Sequence, residues 1–261
     1  MASPRVLILR APGTNCDMET EVAFARAGAQ PTRLHVNRLL ENEKLAKDYQ
    51  ILCFPGGFSY GDDIAAGRIL AVQIKAHLSG MLEDFRNSDK LVLGICNGFQ
   101  IMMRLGIFFD PQQSEPPATL TLNHQGRFED RWIHLKTAGD KCVFLKGIEQ
   151  IHLPMAHAEG RFAVRSQQAL EQLEQQGQLV LRYCRPDGTG WNESLEFPHN
   201  PNGATANVAG ICDATGRIFG LMPHPERFLD ATNHPAWTRQ QVIPEHGEGL
   251  KVFLNAVSYF A

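Results

Sequence analysis

Gly94-Ile95-Cys96-Asn97-Gly98, at the end of the apolar run Leu91-Val92-Leu93, constrains this chain more than any other segment. A strand that stops at a residue framed by glycines two before and two after, then turns into a helix at Phe99-Gln100, has the geometry of a nucleophile elbow. The glycines have a steric reason, because strand end and helix start both pass close to the turn, where a Cβ would collide. A thiol held there faces the N-terminus of the helix beginning near Asn97, whose free N–H groups and dipole favour a thiolate and later an oxyanion. Cysteine is also among the most buried residue types, and Cys16, Cys53, Cys142, Cys184 and Cys212 are read as core fillers. The glycine frame sets Cys96 apart.

A cysteine nucleophile needs a base, and the base an orienter. Far downstream, after another apolar run, stands Gly220-Leu221-Met222-Pro223-His224-Pro225-Glu226-Arg227. Two prolines fix φ on both sides of His224, and an extended segment would project His224 and Glu226 to one face. A carboxylate on one imidazole nitrogen sets the tautomer and leaves the other nitrogen for the thiol. His157, in Pro154-Met155-Ala156-His157-Ala158-Glu159, has a carboxylate at the same spacing and is the rival base. It lacks the second proline and a position just past a strand end, and ranks behind His224.

The first half alternates apolar strands with amphipathic helices. Val6–Leu9 precedes a helix capped by Asp17, with Val22, Ala23, Ala25 and Ala27 inside; strands at Leu34–Val36 and Ile51–Phe54 and a helix from about Ile64 to His77 follow. Continuous apolar strands with helical crossovers predict an α/β fold, a mostly parallel central sheet covered by helices on both faces. Trp132–Leu135, Ile151–Leu153 and Leu179–Tyr183 read as an antiparallel extension, and a last helix, Gly249–Phe260, is expected to pack Leu250, Phe253, Leu254 and Val257 inward. Gly56-Gly57, at the end of Ile51–Pro55, lets backbone approach a ligand at the sheet edge that carries Cys96. The Lys-Ser/Thr of a phosphate loop does not follow these glycines, so nucleotide binding is not expected. The glutamine-rich Gln167–Gln176 carries Leu170 and Leu173 at helical spacing and reads as a solvated amphipathic helix.

With 43% hydrophobic residues, 261 residues suffice for one compact domain. A net charge of -3 supplies no basic field for nucleic acid or anionic membrane. Six cysteines without a C-x-x-C spacing fit a reducing cytoplasm and not a disulfide framework or zinc site. The short N-terminus before the first strand and the lack of a long apolar run predict no signal peptide and no membrane span.

Gly94–Gln100 together with Pro223–Glu226 resembles the triad-type, class I glutamine amidotransferases. Further segments are similar to one branch of that family, the glutaminase subunits of phosphoribosylformylglycinamidine synthases of de novo purine synthesis. They are Phe54–Asp62, Asn123–Trp132, His157–Phe162, Asn200–Gly203 and Asn207–Ile211, and they spread over nearly the whole chain. The resemblance implies a flavodoxin-like fold in one domain spanning 1–261. It makes Cys96 the nucleophile, His224 the base and Glu226 its orienter, with the oxyanion hole at the N–H groups of Gly57 and Asn97 and with Gln100 and Arg127 near the bound glutamine. It implies glutamine hydrolysis to glutamate through a thioester, with ammonia handed to a large ATP- and Mg-dependent synthase, a small accessory subunit beside it, and no cofactor or metal in this chain. Asp63, His124-Gln125 and Ala158 depart from the branch's usual residues, and none belongs to the triad. Two other readings are a free-standing cysteine hydrolase or peptidase, in whose relatives a histidine follows the nucleophile where Asn97 stands here, and a binding subunit that lost the reaction, against which the intact Cys96, His224 and Glu226 argue.

Overall fold

Apolar runs without alternation need cover on both faces. In the computed structural model, which describes residues 3–113 and 115–261, they form the middle of a nine-stranded sheet. The first elements are β1 (Arg5–Arg10), α1 (Asp17–Arg26), β2 (Gln30–His35), α2 (Val36–Glu41), β3 (Ile51–Phe54), α3 (Arg68–His77), α4 (Ser79–Asn87), β4 (Leu91–Ile95) and α5 (Asn97–Leu105). Then come β5 (Ala118–Thr121), β6 (Glu129–Thr137), β7 (Gln150–His157), β8 (Arg161–Val164), α6 (Gln167–Gln175), β9 (Leu181–Tyr183), β10 (Val208–Cys212), β11 (Ile218–Leu221) and α7 (Leu250–Ser258). The sheet order is β2-β1-β3-β4-β11-β10-β9-β6-β7. The first five strands of that order are parallel and the last four continue antiparallel. Every residue of β3, β4, β10 and β11 is buried. β5 and β8 pair as a separate two-stranded sheet.

Right-handed crossovers that lead in opposite directions along a sheet put their helices on opposite faces, which separates α1, between β1 and β2, from α3 and α4, between β3 and β4. α7 joins α1, Phe253 meeting Phe24 edge to face at 5.0 Å between ring centroids, while α5 packs with α3. The expected α/β architecture is therefore present, antiparallel extension included.

Details differ for local reasons. Asp17 is the first residue of α1 and not its cap; Cys16 precedes it, and the buried Asp17 carboxylate pairs with Arg10 at 2.7 Å and Arg33 at 3.1 Å. Thr20, Ala23 and Phe24 fill the inner face of α1, and Val22 is exposed. α3 starts at Arg68 because Gly67 has φ +70, where a Cβ would come within 2.8 Å of Ile101 Cγ1. The strand expected at Leu34–Val36 lies earlier; as the outer strand of the sheet β2 tolerates Pro31, and Val36 opens α2. α4 is an addition to the expected elements; Met81 and Phe85 are buried on its inner face, with Leu82 partly buried beside them. In α7, Val252 and Ala256 are buried where Leu254 was expected, and Leu254 is half exposed.

Candidate active site

The parallel strands deliver their C-terminal ends to one edge. Phe54 of β3 pairs with Gly94 of β4, and Gly94 with Gly220 of β11, so the chain beyond each strand emerges at one level. Cys96 follows β4 directly, its N–H still donating to Leu221 O at 2.8 Å, and its φ of 50° and ψ of -106° mark the strained turn of the elbow. A Cβ at Gly98 would run into the Phe54 carbonyl, and one at Gly94 into Met102 Sδ and the Gly98 backbone. Both glycines are therefore required, as their spacing predicted. The Cys96 side chain is buried, its sulfur 3.7 Å from Ala156 O.

Beyond β11, His224 N donates to Pro154 O of β7 at 2.8 Å, which fixes the base segment across the sheet. The pairing of His224 with Glu226 is present, Nδ1 to Oε1 at 2.6 Å with both residues buried, but not through an extended segment. Pro225–Arg227 is a 3-10 turn that folds the carboxylate back beneath the ring, proline taking the first position of that turn. Burial opposes charge on His224, yet the Glu226 carboxylate and the thiols of Cys96 and Cys16 outweigh it and hold the imidazole well above its usual pKa. Cys96 is thus among the groups whose charge acts on the His224 ring.

The rival His157 sits in the same interior with a different environment. Its Nδ1 faces Asn123 Oδ1 at 3.1 Å, and burial, then the neighbouring His224, push its pKa down to about 3. A ring whose charged form burial disfavours so strongly, beside a neutral asparagine and not a carboxylate, is a poor acceptor for a thiol proton.

Gly57 has φ +142, and a Cβ there would come within 2.7 Å of Asn15 N and 2.9 Å of Gly13 O. The Asn97 N–H opens α5, where helix geometry leaves it without an intrahelical acceptor. The Asn97 side chain locks these two regions together: its Oδ1 accepts from Ser59 N at 3.1 Å, and its Nδ2 donates to Asp62 Oδ1 at 3.1 Å and Gln100 Oε1 at 3.0 Å. Gln100 is buried and donates to Glu159 O. Arg127 points outward, its side chain 67% exposed and paired with the buried Glu129 at 2.7 Å. The structure thus gathers Cys96, His224, Glu226, Gly57, Asn97 and Gln100 at the strand ends and leaves Arg127 on the surface, paired with Glu129.

Residues 3–260 match the family model of the CobB/CobQ-like glutamine amidotransferase domain. The chain belongs to that family. Among curated relatives of this amidotransferase, the phosphoribosylformylglycinamidine synthase subunit PurQ of Methanococcus maripaludis is 46% identical, with 98% of this chain and 97% of the relative covered. PurQ of Dehalococcoides mccartyi is 43% identical over 99% and 98%. Among solved structures, PurLQS from Thermotoga maritima superposes with a TM-score of 0.72 at 29% identity, all of both chains covered.

Two features of this amidotransferase escaped the sequence reading. Asp62 is held by Gly67 N at 3.2 Å and by Asn97, and burial raises its pKa; its signal was only its place in the Phe54–Asp62 segment. Cys16 is no core filler. Arg227 Nη2 donates to its sulfur at 3.1 Å, and that sulfur, a His224 ring nitrogen and a Glu226 carboxylate oxygen lie within 4.8 Å of one another. Those three donors are the types a thiophilic metal takes, but a cation at their position would face the Arg227 guanidinium. Cys53, Cys142, Cys184 and Cys212 do sit as expected: burial pushes the thiols of Cys53 and Cys142 far up and that of Cys184 to about 11, and all six cysteines are free. Among the described residues, no helix is long and apolar enough to cross a membrane.

Proposed function

We propose that this chain, as one domain over 1–261, is the cytoplasmic glutaminase subunit of a phosphoribosylformylglycinamidine synthase. The observation that carries the reading is the strained Cys96 elbow at the N-terminus of α5, with the His224–Glu226 pair on the neighbouring parallel strand end. In this reading His224 takes the Cys96 proton and the sulfur attacks the side-chain carbonyl of glutamine. The oxyanion is met by the N–H groups of Gly57 and Asn97, and the imidazolium returns its proton to the departing ammonia. Water then cleaves the glutamyl thioester with His224 again as base, and glutamate leaves. Gln100 and Arg127 border the place where the amino acid sits.

The ammonia passes to a large synthase subunit, which converts formylglycinamide ribonucleotide to formylglycinamidine ribonucleotide with ATP and Mg²⁺, with a small accessory subunit in the complex. The near-full-length identity to PurQ subunits and the superposition on PurLQS support that assignment. A glutamine-like electrophile, such as a diazoketone analogue, tests it by peptide mapping after incubation in the presence of the synthase. Label on Cys96 and loss of glutaminase activity in step are the expected result. Label confined to Cys53 or Cys212, with Cys96 untouched, would sink the assignment.

A further inference from the structure

Cys16 ends the β1–α1 loop, 1% exposed, and is tied to both halves of the site. Its N–H donates to Gly56 O at 3.2 Å, next to the glycine of the oxyanion pair, and its sulfur accepts from Arg227, next to the orienting carboxylate. Its S–H points to Asn15 Oδ1 at 3.3 Å, which turns the sulfur lone pairs toward the guanidinium and the imidazole. A methyl group at Gly56 would come within 2.9 Å of His224 Cε1 and 3.2 Å of Cys16 Sγ, so Gly56 keeps open the space where the two side chains meet. Core cysteines are surrounded by carbon; this one has a guanidinium, an imidazole and a carboxylate around it.

We propose that Cys16 is a positioning residue for the base: its sulfur, oriented by Arg227, flanks the His224–Glu226 pair and stabilises the imidazolium that forms when Cys96 loses its proton. The inference rests on the triad reading above. A polarisable sulfur with its lone pairs toward a buried cation supplies favourable potential where water cannot, and low dielectric makes that potential count. The groups that face His224 are Glu226 on its own segment, Cys16 from the β1–α1 loop with Arg227 on its sulfur, Cys96 from the elbow and neutral His157 from β7. Of these, Cys16 is the one that also binds the oxyanion loop through its backbone. It therefore couples the position of the base to that of the oxyanion donors.

The test compares wild type, Cys16→Ala, Cys16→Ser and Arg227→Gln, each assembled with its synthase. The pH dependence of kcat/KM for glutamine is read beside the pH dependence of iodoacetamide capture at Cys96. The alkaline limb of the kcat/KM profile reports loss of the imidazolium, and the acid limb of the capture profile reports formation of the thiolate paired with it. Cys16→Ala is expected to lower kcat/KM about tenfold, chiefly through kcat, and to move the alkaline limb to lower pH. Cys16→Ser, which keeps an acceptor in place, should restore most of both. Arg227→Gln, on an exposed side chain, releases the Cys16 sulfur and should reproduce part of the Cys16→Ala shift. A Cys16→Ala profile of wild-type shape, or a Ser variant as impaired as Ala, overturns the proposal in favour of simple packing. If Cys16→Ala does not fold, an unmoved limb in Arg227→Gln does the same. Full activity in His224→Ala would instead overturn the triad reading itself, a separate result.

Discussion

At Gly98 one methyl group is enough to break the elbow, because its Cβ would enter the Phe54 carbonyl, which β3 holds in the sheet and cannot withdraw. Gly98→Ala is expected to cost about 2–3 kcal/mol in denaturant unfolding. Gly126→Ala, at a φ of +65° with nothing within 4 Å of the new Cβ, should cost only the backbone strain, about 1 kcal/mol. Equal losses at the two sites would show that the clash is not what Gly98 avoids. The triad divides by role at the same scale. His224→Ala removes the proton acceptor, while Glu226→Ala leaves an imidazole with poorer orientation, so the second loss of kcat should be roughly tenfold to a hundredfold smaller than the first. His157→Ala should fall well short of both. Parity of His157→Ala with His224→Ala, in folded protein, would reassign the base.

Strand β7 does more for the site than its sequence announced, giving Pro154 O to the base segment and Ala156 O to the nucleophile. The same strand carries His152, whose ring stacks on His134 of β6 at 4.0 Å and whose Nδ1 lies 3.2 Å from His234 Nε2. Burial, then the two neighbouring histidines, lower the His152 pKa to about 4 from an ordinary 6.5, and His157 is displaced the same way. The sign follows from proton counts. Between those values the unfolded chain binds more protons than the folded one, so the contribution is present above pH 6.5 and is lost as pH falls toward 4. The unfolding midpoint should drop by a few degrees between roughly pH 7 and pH 5. His152→Asn should flatten part of that slope; a slope unchanged by it would place the acid sensitivity elsewhere.

At the scale of the molecule, the sheet order decides which loops can meet. β1, β3, β4 and β11 are adjacent and parallel, so the loops bearing Cys16, Gly57, Cys96 and His224 leave the same edge, the usual ligand edge of such sheets. The proposed division of labour is testable here. Cys96→Ser keeps volume and should leave docking intact, so a complex containing it should lose synthesis from glutamine by roughly a thousandfold yet retain synthesis from added ammonium salt. The wild-type chain by itself should hydrolyse glutamine slowly and be stimulated by the synthase, since docking can order the loops around Gly57 and Asn97. Failure with ammonium in a correctly assembled Cys96→Ser complex would mean that Cys96 serves the synthase itself. Fast hydrolysis that no partner stimulates would favour a free-standing hydrolase.

Sequence alone determined what is local. The glycine frame of Cys96 and the apolar runs of β1, β3 and β4 each state their conformation within a few residues, because steric exclusion and period act at short range. The pairing of His224 with Glu226 was legible from spacing, although a turn and not an extended strand produces it. Only tertiary structure decided the rest. Cys16 looks like any buried cysteine until Arg227, 211 positions away, is folded onto its sulfur. His157 matches His224 in its acidic spacing until burial makes it neutral and Asn123, not a carboxylate, takes its Nδ1. α4 carries its apolar stripe, Met81, Leu82 and Phe85, within nine residues, too short a run for the period to stand out. Charge, desolvation and close approach depend on distance in space, and a linear pattern reports distance only along the chain.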